Sequence, residues 1–167
     1  MDRITVERRS ANMAAIKGSN TKPELEVRRL LRELGVGYRL HVKGLPSRPD
    51  IVMKGRRKII LVHGCFWHRH NECPFAYSPK SRKAFWEKKF AANVARDERD
   101  QNTLKTMGWD VMVLWECEVA DAKLLHRRIS SFLYGKPNAR GRRPNSRQRA
   151  HQRKADPARR RSSAKGP

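Results

Sequence analysis

A chain of 167 residues with 39 Lys and Arg against 16 Asp and Glu has room for one domain and, at formal net charge +23, attracts polyanions strongly. No apolar run reaches the length of a membrane span and the start MDRITVERRS has no apolar signal region, so the sequence predicts a cytoplasmic protein with no membrane partner. Three cysteines cannot all pair with one another, which favours free thiols or metal ligands over a disulfide framework.

In chain order, NTKPELEVRRLLRELG opens with the capping box Thr21-x-x-Glu24, carries Pro23 in its first turn and sets Val27, Leu30, Leu31 and Leu34 on one face before Gly35. This predicts an amphipathic helix. YRLHV predicts a strand, and PDIVM, a Lys54-Gly55 turn and KIILVHG predict a hairpin of β-branched runs. A long helix follows over residues 81–107, with Trp86, Phe90 and Val94 four apart and Gly108 as its stop. WDVMVLWEC alternates Trp109, Val111, Val113 and Trp115 with Asp110, Met112, Leu114 and Glu116, the pattern of a strand. DAKLLHRRISSFLYG gives a last helix ending at Gly135 and Pro137. The order α-β-β-β-α-β-α predicts an α/β sandwich with a mixed β-sheet flanked by helices.

The final 32 residues, 136–167, contain no Leu, Ile, Val or aromatic residue, and twelve Lys and Arg face one Asp. They predict a disordered basic tail that accounts for +11 of the charge. The remaining +12 makes residues 1–135 basic in their own right, which points to nucleic acid first and an acidic membrane second. The division expected is an N-terminal arm over 1–20, a folded basic domain over 21–135 and the tail over 136–167.

Two constellations carry chemistry. In HGCFWHRHNEC, Cys65, His70 and Cys73 share one loop, and Cys117 is placed at the end of the strand after the long helix. Three sulfurs and one imidazole make the closed tetrahedral set of a structural Zn2+. His68 is the alternative imidazole, and in that role it could not also act as a catalytic base. The second constellation is Asp50 at the start of one strand, His63 at the end of the next, His68 in the loop and Glu24 in the first helical turn. Carboxylates with a neutral imidazole suit a Mg2+-dependent phosphodiesterase: oxygen ligands hold the ion and a base takes a proton from water. The capping box by itself also accounts for Glu24, and a strand-start turn for Asp50.

RSANMAAIKGSNTKPE, SRPD, HGCFWHRH, FWEKKFAANVARDERD and GWDVMVLWEC, in this order, closely resemble the very-short-patch mismatch repair endonuclease (Vsr) family over residues 9–133. The resemblance implies a restriction-endonuclease-like core and nicking of duplex DNA on the 5′ side of the thymine in T:G mismatches, which arise by deamination of 5-methylcytosine. It places the Mg2+-binding aspartate on Asp50 and the catalytic histidine on His68, with Glu24 and His63 also in the active site. It puts a main-chain carbonyl contact to Mg2+ at Val62, where other members have Thr. Cys65, His70, Cys73 and Cys117 are its zinc ligands. Phe66, Trp67 and Trp86 enter the DNA stack beside the mismatch, and Asn12 and Met13 belong to a minor-groove arm, with Met13 a further inserting residue. Unstacking a step costs a few kcal/mol, least where pairing is already poor, so such a wedge favours a mismatch. The expected protein is a monomer, with mismatch-repair proteins as further partners. A restriction-type double-strand endonuclease of the same fold and a non-catalytic zinc-bearing DNA-binding module are the competing readings.

Overall fold

Thr21 starts the first helix among the described residues, as the sequence predicts. Its Oγ1 accepts from Glu24 N at 3.5 Å, and Glu24 Oε1 accepts from Thr21 N at 3.4 Å, closing the box that begins α1 (Lys22–Glu33). The computed structural model describes residues 18–135. The expected arm with Asn12 and Met13 and the basic tail 136–167 lie outside the described residues, apart from positions 18–20. After α1 come β1 (Arg39–Leu40), β2 (Ile51–Met53), a 3-10 turn (Lys54–Arg56), β3 (Lys58–His63), α2 (Lys83–Thr106), β4 (Asp110–Trp115), α3 (Glu116–Val119) and α4 (Ala122–Tyr134).

The sheet runs β1-β2-β3-β4. β1 to β3 are antiparallel neighbours, and β4 lies parallel to β3 with Lys58 opposite Asp110 and His63 opposite Trp115. A parallel neighbour needs a crossover, and α2 supplies it. Both faces are covered. Val27, Leu30 and Leu31 of α1 and Leu125, Ile129 and Leu133 of α4 pack on Ile51, Met53, Ile60, Met112 and Leu114, while Leu104 of α2 and Trp109 pack with Val52, Ile59 and Leu61 on the other side. The alternation in β4 is thus read out as two faces, both apolar in use. This is a mixed α/β fold with helices on both sides of a four-stranded mixed sheet.

Three local departures from the expected elements have simple causes. β1 stops at Leu40 because His41 takes a left-handed φ of 44°. The turn after β2 needs a left-handed residue, and Arg57 serves with φ 56°, held by donation from Nε to Gly108 O at 3.3 Å and from Nη2 to Met107 O at 2.5 Å. Beyond β4 the chain enters α3 at once, so Cys117 lies in a short helix and not at a strand end. Among the described residues no helix is long and apolar enough to cross a membrane.

Candidate active site and adjoining cysteine cluster

Because β3 and β4 are parallel, their C-terminal ends open on the same edge of the sheet, beside the start of β2. A cleft of about 760 Å³ lies there, lined among others by Glu24, Asp50, Val62, His63, His68 and Asp97. Asp50 precedes β2 and its Oδ2 accepts from Val62 N at 2.8 Å, which ties the carboxylate to the neighbouring strand. Burial raises its pKa above the ordinary carboxylate value, and the negative charge of Glu24 pushes the same way.

His63 ends β3, buried. Its ring lies against that of His68 with centroids 3.9 Å apart and planes 16° from parallel. Burial drives His63 down to about 3, and a proton on neighbouring His68 would push the same way, so His63 is neutral at physiological pH. His68 is held on the opposite side by Asp97 of α2, with Nδ1 to Oδ2 at 2.5 Å. Near-parallel rings cannot both aim in-plane lone pairs at one ion, so His63, His68 and Asp97 make a poor metal cage although their ligand atoms lie within 4.8 Å of one another. With Nδ1 donating to Asp97, Nε2 of His68 is the free acceptor, the arrangement of an oriented base.

Glu24 reaches the cleft, but its oxygens are already engaged. Oε2 accepts from Asn20 N at 3.0 Å and Arg28 Nη2 at 2.8 Å, and Oε1 from Thr21 Oγ1 at 2.9 Å. Arg28 Nη1 donates to Asn20 Oδ1 at 2.6 Å, and His41 Nε2 stands 3.5 Å from Nη2. Side-chain exposures of 6% for Arg28 and 4% for Glu24 make this a buried pair. Arg28→Ala is therefore expected to destabilise the fold by about 3 kcal/mol in urea unfolding, because the remaining carboxylate stays buried without its cation. A change below about 0.5 kcal/mol would show the pair to be energetically idle.

The second cluster lies behind the first. Sγ of Cys65, Cys73 and Cys117 and a ring nitrogen of His70 all lie within 4.8 Å of one another, with His70 Nδ1 at 3.7 Å from Cys65 and 3.3 Å from Cys117. Tetrahedral zinc separates S and N donors by roughly 3.5 to 3.8 Å, so these residues fit the ion. Burial pushes the Cys65 thiol up to about 12 and raises that of Cys117. Both would have to be thiolates to bind zinc. His68, the alternative ligand, points instead to Asp97. Trp115 divides the clusters, with the His70 ring stacked on its face at 4.3 Å and the His63 ring edge-on at 5.4 Å.

Phe66, Trp67 and Trp86 are half-buried and meet one another, and Phe66 and Trp86 also meet Phe90, at centroid distances of 5.1 to 6.1 Å. Asn93 Nδ2 donates to Trp67 O at 3.1 Å, so α2 supports the loop from below. Asn93, Asp97 and Asp100 form an i, i+4, i+7 polar stripe on α2. That stripe was the one available signal for Asp97, to which the motifs above give no role, as they give none to Arg28 and His41; Trp115 was read only as a strand residue.

The family model described as DNA mismatch endonuclease Vsr matches residues 1–74. The type II nicking enzyme V.XorIIP of Xanthomonas oryzae pv. oryzae is 46% identical over 132 residues, 79% of this chain and 96% of that protein. The DNA mismatch endonuclease Vsr of Escherichia coli is 42% identical, over 76% of this chain and 84% of its own length. Among solved structures, the catalytic domain of the homing endonuclease I-Bth0305I aligns with TM-score 0.47 and 23% identity, covering 68% of this chain and 94% of that one. The chain therefore belongs to the Vsr family of DNA mismatch endonucleases and is a DNA endonuclease.

Proposed function

We propose that this protein nicks one strand of duplex DNA on the 5′ side of the thymine in a T:G mismatch, as a Mg2+-dependent monomer braced by one structural Zn2+. Its sheet is read as a restriction-endonuclease-like core. The observation that carries the reading is the convergence of Asp50, His63 and His68, backed by Asp97, in one cleft. The mismatch and the single-strand cut come from the names of its relatives, and the T:G pair from the motifs quoted above.

In this reading Asp50 and the main-chain carbonyl of Val62 hold Mg2+. The ion, when bound, supplies positive charge to the scissile phosphate and its developing negative oxygens. His68 takes the proton of the attacking water on Nε2, and Asp97 keeps that nitrogen aimed by binding Nδ1. Neutral His63 packs on the imidazolium that forms without adding a second charge. Glu24 acts through its negative field on Asp50 and by fixing the first turn of α1. Cys65, His70, Cys73 and Cys117 hold zinc, which gives the irregular loop the rigidity that an inserting Phe66, Trp67 and Trp86 would need, with Met13 entering from the other side.

The test is a panel of end-labelled duplexes carrying T:G, matched and other mismatched pairs, incubated with Mg2+ or EDTA, alongside native mass measurement. One labelled strand should be cut, only with Mg2+ and chiefly at T:G, by a monomer. Equal cutting of matched DNA, or scission of both strands by a dimer, would replace this reading with a restriction-type activity.

A further inference from the structure

The half-buried rings of the zinc-loop cluster are not the aromatic surface that solvent meets. Tyr77 is 65% exposed and Phe85 is 46% exposed, far more than packing requires. Both are anchored to the half-buried rings beneath: Tyr77 lies 5.0 Å from Phe66, Phe85 lies 5.4 Å from Trp86, and Phe66 and Trp86 are 5.6 Å apart. Their supports are also fixed. Arg69 Nη1 donates to Tyr77 O at 3.0 Å and Nη2 to Ser78 Oγ at 3.2 Å, while its guanidinium lies 4.4 Å over Phe90.

Cations are interleaved with these rings. Arg82 stands 4.7 Å over Phe85, and Lys89 is within 5.8 Å of Phe85, Trp86 and Trp67. Residues 80–89 carry Lys80, Arg82, Lys83, Lys88 and Lys89 against Glu87 alone. An apolar protein partner would be repelled by so many uncompensated charges at the rim. A π-surface bordered by cations instead fits a base attached to its phosphate.

We propose that Tyr77 and Phe85 form a stacking platform for unpaired bases of a DNA strand, with Arg82 and Lys89 taking the adjoining phosphates. It rests on the reading of this loop as DNA-facing, and it assigns the exposed rings a different ligand from the helical stack: bases already out of a duplex. A single strand should therefore bind here without any mismatch or cleavage.

The test measures binding of the full chain to a fluorescein-labelled oligo-dT single strand by anisotropy, and quenching of 2-aminopurine placed within a second oligonucleotide. Tyr77→Ala and Phe85→Ala are each expected to weaken binding about five- to a hundredfold and to abolish part of the quenching, with the salt slope and melting temperature unchanged. Tyr77→Phe, which keeps the ring, should bind like wild type. Unchanged affinity and quenching in both alanine variants would overturn the platform, as would losses that track a fall in melting temperature. The two readings fail separately. Absence of T:G nicking with ring-dependent single-strand binding removes only the mismatch assignment, whereas normal nicking with ring-independent binding removes only the platform.

Discussion

Asp50→Asn is expected to abolish nicking and yet melt at a higher temperature than wild type in Mg2+-free buffer. The activity follows from charge. If the carboxylate contributes about 4 kcal/mol through the ion it holds, its loss lowers the rate about a thousandfold. The stability follows from the same burial. Because the folded-state pKa of Asp50 is raised, its contribution to stability is fully present below the unfolded value near 3.8 and is lost as pH rises through the folded value. Once ionised, Asp50 therefore weakens the fold, with the charge of Glu24 adding to the cost. Asn keeps an acceptor for Val62 N and carries no charge. The melting-temperature gap between the two proteins should open as pH rises from about 4 and then level off, and Mg2+ should stabilise wild type alone. An Asn variant that nicks normally, or that melts below wild type at neutral pH, would remove Asp50 from the site.

The second large effect is expected at Cys117. Residues 64–82 connect β3 to α2 with no helix or strand, an unusual length of irregular chain for a small domain. Among the described residues Cys117 is the one cysteine of the cluster that comes from outside this connection, so it joins the loop to the chain beyond β4. Wild type should contain one zinc per chain by metal analysis. Cys117→Ser should lose most of it, together with about 3 kcal/mol of stability, or roughly 10 °C in melting temperature for a domain of this size. Nicking should fall as well, since His68 lies between Cys65 and His70 in the same loop. An active, folded wild-type preparation without zinc would show that the four side chains converge for another reason.

These cases also show which parts of the molecule could be read from the chain. Thr21 and Glu24 announce α1 because a capping box is local, and the runs in β2, β3 and β4 show themselves by β-branching and alternation. The convergence of Cys65, His70, Cys73 and Cys117 was legible from residue type, although the secondary structure at Cys117 was not: a strand pattern continuing through Glu116 hides the turn into α3. Asp97 and Arg28 were opaque for a different reason. Asp97 meets His68 at 29 residues' separation and Arg28 meets Glu24 inside an ordinary helical i, i+4 pair, and neither spacing differs from that of a solvated charge. Exposure was equally hidden, since Tyr77 and Phe66 look alike in sequence but differ in how far their rings stand out of the cluster.

The parallel pairing of β3 with β4 has a consequence for the chain while it is being made. Asp50, His63 and His68 emerge early from the ribosome, but Asp97 follows on α2, and β3 acquires its second neighbour only when residues 110–115 arrive to pair with it. Until then one edge of β3 is bare and Cys65 has no Cys117 to meet. A nascent or prematurely terminated chain ending before β4 therefore lacks both the completed cleft and its brace.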